Sequence, residues 1–186
     1  SSGSSGSATI TNLGNDRITT STGTQGELNA EANLKFDGDV LILNGQMNFP
    51  EDSLSISEGF GEVAYFGSSV GTLNVGRIYT LNSFNNWTPS RADNGGISTG
   101  ILAVALGSTV SAGMLLRGYA RFTSNSSYSA MSTIGAPLYL DENSSGAFTE
   151  NAPTSTGEMV RVIGYVISTT SDIMRFDPDQ TWVEIG

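Results

Sequence analysis

Apolar and polar positions alternate in short runs along this chain, with a period near two and frequent interruption. Leu34 and Phe36 alternate with polar neighbours, Asp37-Gly38 marks a turn, and Val40 and Ile42 resume the alternation. Asn44-Gly45 is a second turn signal, and "QMNFP" and "SLSIS" repeat the short period. Further on, "RIYTLN", "GILAVALG", "GMLLRGYARFT", "GAPLYLD", "EMVRVIGYVIS" and "DIMRFDPDQTWVEI" follow one another with Gly, Asn and Ser turns between them. Strands spaced roughly 8 to 15 residues apart predict an all-β fold, either a small β-barrel or a β-sandwich. No segment carries a convincing helical stripe. Ile101 to Leu106 is too short for a helix and has glycine on both sides. Pro178 predicts that the strand before it ends near Asp177.

This pattern divides the chain into three parts. Residues 1–26 are rich in Ser, Thr, Gly and Asn, and predict an arm that is flexible or bound to a partner, because it buries too little to hold itself in place. Residues 27–57 predict a β-stem of short strands, each too small to be stable alone. Such a stem needs copies of itself or a neighbouring domain; an ordinary meander leading into the main domain fits the same pattern. Residues 58–186 predict the globular β-domain. Expected to pack are Leu34, Phe36, Val40 and Ile42 in the stem, and Leu115, Tyr119, Leu138, Val162, Tyr165 and Trp182 in the body; Tyr165→Ala is expected to lower the melting temperature clearly.

Two strands share an unusual feature. "LLRGYARF" and "VRVIGYVI" each place a glycine before a tyrosine inside an apolar run. A glycine there permits a bulge, a barrel corner or the close approach of an aromatic ring. The two strands are candidates for neighbours or structural equivalents, with chance similarity as the rival.

Composition narrows the chemistry. The 186 residues suffice for one full domain, or a compact domain with an extended arm. Hydrophobic residues make up 38% and glycines number 23, which together reach the usual apolar share. There are 18 acidic and 8 basic residues, for a net charge of −10, and the basic residues are scattered. That charge argues against nucleic-acid binding. Cysteine and histidine are both absent. Disulfides, thiolate catalysis, cysteine-ligated metals and any Ser-His-Asp set are thereby excluded. No apolar run is long enough for a membrane-spanning helix, so no membrane insertion is expected. The start, "SSGSSGSATI", lacks the basic and apolar regions of a secretory signal, and reads as a linker or the end of a Gly/Ser-rich arm. The lack of an initiator Met suggests a processed or truncated chain.

Candidate chemistry is thin. Glu51-Asp52, Asp141-Glu142 and Asp177-Pro178-Asp179 are acidic neighbours in turns, where carboxylates face water instead of converging as a catalytic pair. "FDPDQTW" lacks the spacing of a calcium loop. There is no phosphate-cradling glycine motif. No cofactor and no metal are therefore expected, and a glycosidase is disfavoured because no pair of converging carboxylates is visible. The loops "NSFNNWTPSRADNGG" and "TSNSSYSAMSTIG" are the best candidate binding surfaces, through Phe84, Trp87, Arg91 and Tyr128. The alternative for such a loop aromatic is to fold back as a lid on the core.

The segment "NDRITTSTGTQGELNAEANLKFDGDVLILNG" resembles connector segments in structural proteins of tailed bacteriophages, marine and cyanobacterial ones in particular. The body resembles a small β-domain of the same virion proteins through "IYTLN", "GILAVALG", "MLLRGYARF", "GAPLYL", "APTSTGEMVRVIGYVI" and "IMRFDPDQTWVEI"; Thr80 stands where those proteins have a second tyrosine. The resemblance covers most of residues 12–186. It implies a non-enzymatic virion component on the exterior of the capsid or tail, a homotrimer that decorates the capsid or forms a head or tail fibre. Its partners would be its own copies, other virion proteins such as the major capsid or tail proteins, and, at a fibre tip, a host cell-surface glycan or protein. The family carries no catalytic residues to transfer. A chain without cysteine suits a particle that meets uncontrolled redox conditions, and trimerisation would complete short sheets and hide their edges.

Overall fold

The computed structural model describes residues 9–11, 17–23, 27–44, 54–56, 58–122 and 131–186. The chain divides into two compact units, residues 1–49 and 50–186. Both are built from strands, and the fold is all-β with a large mixed sheet.

The first unit is one small sheet. β3 (Glu27–Phe36) is its spine. β1 (Thr9–Thr11) pairs with it in parallel, while β2 (Arg17–Ser21) and β4 (Leu41–Leu43) pair with it antiparallel. Residues that the sequence assigns to the arm thus form strands on the spine of the stem. The Asp37-Gly38 turn closes the β3–β4 hairpin. The Asp37 carboxylate accepts from the backbone N–H of Asp39 at 3.1 Å and of Val40 at 2.8 Å, and Gly38 takes the positive φ of 106° that such a turn needs.

The apolar residues of this hairpin do not pack as expected. Phe36 is 50% exposed, Val40 54% and Ile42 38%; Leu34 is half-buried. The hairpin registers Leu34 on Leu43 and Phe36 on Leu41, so these four side chains share one face. Its described strands form a single layer, and Ala30 is the only buried apolar residue among its described residues. Alternation alone yields a core only when a second layer lies against the apolar face.

The second unit holds the main core. Its strands are β5 (Gly59–Ala64), β6 (Ser68–Ser69), β7 (Ile78–Leu81), β8 (Asn86–Pro89), β9 (Leu102–Ala105), β10 (Met114–Arg121), β11 (Pro137–Leu140), β12 (Phe148–Thr149), β13 (Met159–Val160), β14 (Val162–Ser168), β15 (Ile173–Phe176) and β16 (Val183–Glu184). Ten of them form one sheet in the order β12-β11-β14-β15-β10-β9-β7-β8-β6, with β5 paired to β10. All its pairings are antiparallel except β6 with β8. β13 and β16 form a separate pair. β15 ends at Phe176, as Pro178 predicts, and the apolar run at 101–106 is a strand.

One face of the large sheet carries the main core, including Ile78, Leu102, Val104, Leu115, Leu138 and Phe176. The other face carries a second cluster with Tyr79, Trp87, Ala103, Ala105 and Met114. β9 shows the division directly, since Leu102 and Val104 enter one cluster and Ala103 and Ala105 the other. The sheet ends are linked through the backbone: Ala92 N–H donates to Asp141 O at 3.0 Å, and Ile78 N–H to Gly146 O at 2.9 Å.

Of the body residues expected to pack, Leu115 and Leu138 are fully buried and Tyr119 and Val162 half-buried. Tyr165 and Trp182 are corrections, at 44% and 45% exposed. In β14 the core-facing positions are Ile163 and Val166, which leaves the Tyr165 ring on the opposite face. Trp182 precedes the two-residue strand β16, which pairs with β13, and its ring sits 5.8 Å from the Arg161 guanidinium. Arg161 is itself buried and donates to the carbonyls of Ser98, Gly100 and Asp179 at 2.9, 2.8 and 2.7 Å, tying the C-terminal segment to the β8–β9 connection. Burial lowers its pKa, and nearby Asp179 partly offsets that.

Candidate functional site

The β7–β8 hairpin carries the aromatic loop. Its tip is fixed by Asn82, whose side-chain Oδ1 accepts from the N–H groups of Phe84 and Asn86, both at 3.0 Å. Asn85 takes a left-handed φ of 60°, which asparagine tolerates better than most residues. The result is a hydrogen-bonded tip with Phe84 82% exposed.

Trp87, three residues on, points the other way. It is 2% exposed, its indole N–H donates to Phe66 O at 2.9 Å, and the Phe66 ring stacks on it at 5.9 Å. Gly67 lets the backbone pass close, since a Cβ there would lie 2.8 Å from the indole nitrogen. Trp87 is therefore a lid on the second cluster and not a surface-binding residue. Arg91 lies beyond the hairpin in an ion pair with Asp93 at 2.5 Å. Tyr128 falls outside the described residues. Of the four residues singled out in the sequence, the structure leaves Phe84 as the exposed aromatic of the tip, accompanied by Phe66 at 47% exposure.

A second surface went unread in the sequence. β10 and β14 both pair with β15, one on each side, and Gly118 and Gly164 both register on Phe176. One position along, Tyr119 and Tyr165 both register on Arg175. On the far side of β10, Phe60 registers on Tyr119, with ring centres 5.6 Å apart. The face opposite the main core thus carries Phe60, Tyr119, Arg175 and Tyr165 in one row across four strands. Next to the row, Asp177 sits between two arginines, with Arg117 Nε at 3.3 Å and Arg175 Nη2 at 3.1 Å. A cleft of about 320 Å³ adjoins it, lined by Glu62, Ile101, Leu102, Leu116, Arg117 and Pro178. The repeated Gly-Tyr pair was the available signal. What sequence alone lacked was the strand that lies between the two copies.

Glu51 and Asp52 fall outside the described residues, and among the described carboxylates none converge on a reaction centre. Asp177 is held by arginines, while Asp141 accepts from the backbone N–H groups of Asn143 and Ser144 in a turn. Glu142 and Glu158 lie side by side. Their mutual hydrogen bond raises the pKa of Glu142 and lowers that of Glu158, which also accepts from the N–H groups of Thr154 and Ser155. Among the described residues no group of three or more carboxylates is placed to hold a metal ion. No family model, curated protein or solved structure matches this chain.

Proposed function

We propose that this chain is a structural component of a bacteriophage virion, decorating the capsid or forming a head or tail fibre, and that it works as a homotrimer on the particle exterior. The observation that carries this reading is the apolar face of the β3–β4 hairpin, formed by half-buried Leu34 and exposed Phe36, Leu41 and Leu43, on a unit whose described residues bury no apolar side chain but Ala30. A face of this kind is stable when several copies cover one another. The resemblance of the hairpin segment to phage connectors supports the same reading. In the trimer each body would be a curled, barrel-like sheet with its edges protected, needing no cofactor. The test is antibody labelling of intact particles, directed at residues 58–186 and viewed by electron microscopy. Label over the head assigns a decoration or head-fibre protein, and label on the tail assigns a fibre. Particles that carry no label refute the proposal.

A second reading rests on Phe84. A phenylalanine 82% exposed on a hydrogen-bonded tip suits a fibre end that touches a host cell-surface protein or glycan. On this reading Phe84→Ala lowers adsorption to cells while the protein keeps its melting temperature. Trp87→Ala is a poor test, because the buried indole is part of the core.

A further inference from the structure

From the tip of the β7–β8 hairpin and the segment beside it we infer a docking surface for a zwitterionic lipid layer, with Phe84 and Phe66 set among the headgroups. The contact is shallow and is not a span. It uses the tip of the host-binding reading but names a different partner, and it needs neither that reading nor the virion one.

Two short segments supply the surface. β6 lies parallel to β8 with Ser68 on Asn86, and the Ser68 N–H donates to Asn85 O at 2.9 Å. The chain that enters β6 therefore passes beside the tip. It exposes Tyr65 at 66% as well as Phe66, and Val70, just after β6, is 88% exposed. The Phe66 ring is backed by the buried Trp87, and Phe84 stands on the hydrogen-bonded turn. The backbone under both rings is thus ordered before any contact is made.

A loop enters a less polar layer without penalty only when its backbone groups keep partners there. The N–H groups of Asn82, Phe84, Asn85 and Asn86 all donate within the tip. Asn82 gives to Asn86 O at 2.9 Å, Asn85 to Asn82 O at 3.0 Å, and Phe84 and Asn86 to the Asn82 Oδ1, both at 3.0 Å. Moving the Phe84 ring out of water breaks none of these bonds.

Charge selects the kind of surface. Between Glu62 and Asp141 the sequence has a single acidic residue, Asp93. The flanking arginines stand at the base of the hairpin, beyond the far ends of β7 and β8: Arg77 donates to Ser145 O at 2.8 Å, and Arg91 pairs with Asp93. The tip therefore has no charge to desolvate. It also has no basic cluster to hold an anionic surface, which the net charge of −10 repels. A zwitterionic layer meets neither obstacle, and Tyr65 suits its boundary, where the ring is apolar and the hydroxyl stays wet. The tryptophan and arginine anchors of protein interfaces are not on offer, since Trp87 is buried and Arg91 is paired.

The test floats the full-length chain with vesicles of phosphatidylcholine, and with vesicles that also contain phosphatidylglycerol. Phe84→Ala runs beside the unsubstituted protein and Ile134→Ala, which alters an exposed apolar residue outside the tip. Circular dichroism melts verify that each variant is folded. The expected result is flotation with phosphatidylcholine that falls as anionic lipid is added. Phe84→Ala should weaken it about tenfold, and Ile134→Ala should leave it unchanged. Phe84→Trp should add fluorescence that lipid with brominated acyl chains quenches. No flotation, flotation only with phosphatidylglycerol, or equal flotation by Phe84→Ala overturns the inference. If Phe84→Ala lowers adsorption to cells while the unsubstituted protein does not float, this inference fails and the host-protein or glycan reading stands. A fall in the oligomeric mass of Phe84→Ala, read by light scattering, also overturns it by making the tip a contact between copies.

Discussion

Trp87 and Phe84 lie three residues apart in one hairpin and face opposite ways. Leu81 registers on Trp87, and both side chains enter the second cluster, which turns the indole inward. Trp87→Ala should cost about 3–5 kcal/mol of stability, and Phe84→Ala no more than about 0.5 kcal/mol, both read by urea unfolding. The polar context "NSFNNWTPS" left both fates open, because which aromatic turns inward depends on pairing with β7. Tyr165 shows the same limit. At 44% exposure its loss should shift the melt far less than that of Trp87. Glu150 yields a prediction of another kind. Burial pulls its carboxyl pKa up, but hydrogen bonds from the Ser132 N–H and hydroxyl and the Thr133 N–H outweigh that and hold it below the ordinary 4.5. Its contribution is complete above the unfolded value and is lost as pH falls through the lower folded value. Glu150→Gln should therefore flatten part of the acid limb when the urea midpoint is followed from neutral pH downward; an unaltered acid limb would exclude this role.

At the scale of elements, the central strands depend on closeness that only glycine permits. A Cβ on Gly164 would lie 2.1 Å from the Arg175 carbonyl oxygen, and one on Gly118 would lie 2.1 Å from the Phe60 carbonyl oxygen. Gly118 also holds a φ of 142°, which side-chain-bearing residues rarely adopt. Gly164→Ala should cost about 1–3 kcal/mol as β14 is forced away from β15. Gly118→Ala should cost more, because backbone strain of about 1–3 kcal/mol is added to the same kind of clash. Urea unfolding of the two variants checks the order. Strand existence was legible, since period-two alternation and turn residues marked β3, β4, β10, β11, β14 and β15. So was the oddity of two Gly-Tyr strands. The order of strands was not legible, because β15, joined to β14 as a hairpin, meets β10 through backbone pairing across a long stretch of chain, and local pattern carries no record of it. The row of Tyr119, Arg175 and Tyr165 was hidden for that reason.

At the scale of the whole molecule, the two units differ in how they account for their apolar residues. The second closes a core from Ile78 to Phe176 within its own strands. The first, over its described residues, buries Ala30 and leaves Phe36, Val40, Leu41 and Leu43 between 43% and 61% exposed. A small single-layer sheet with an apolar face is marginal alone, and the proposed association of copies would stabilise it. If the hairpin is where copies meet, the contact should be separable from the body. The full chain should run at the mass of three chains by light scattering. A fragment of residues 50–186 should run at the mass of one and keep its melting transition. Phe36→Ser with Leu41→Ser in the full chain should give the same monomer, because it places hydroxyls on the face that the copies would share. A fragment that still associates would put the contact on the body and remove the hairpin's role. A full chain that stays monomeric at every concentration would remove the trimer itself.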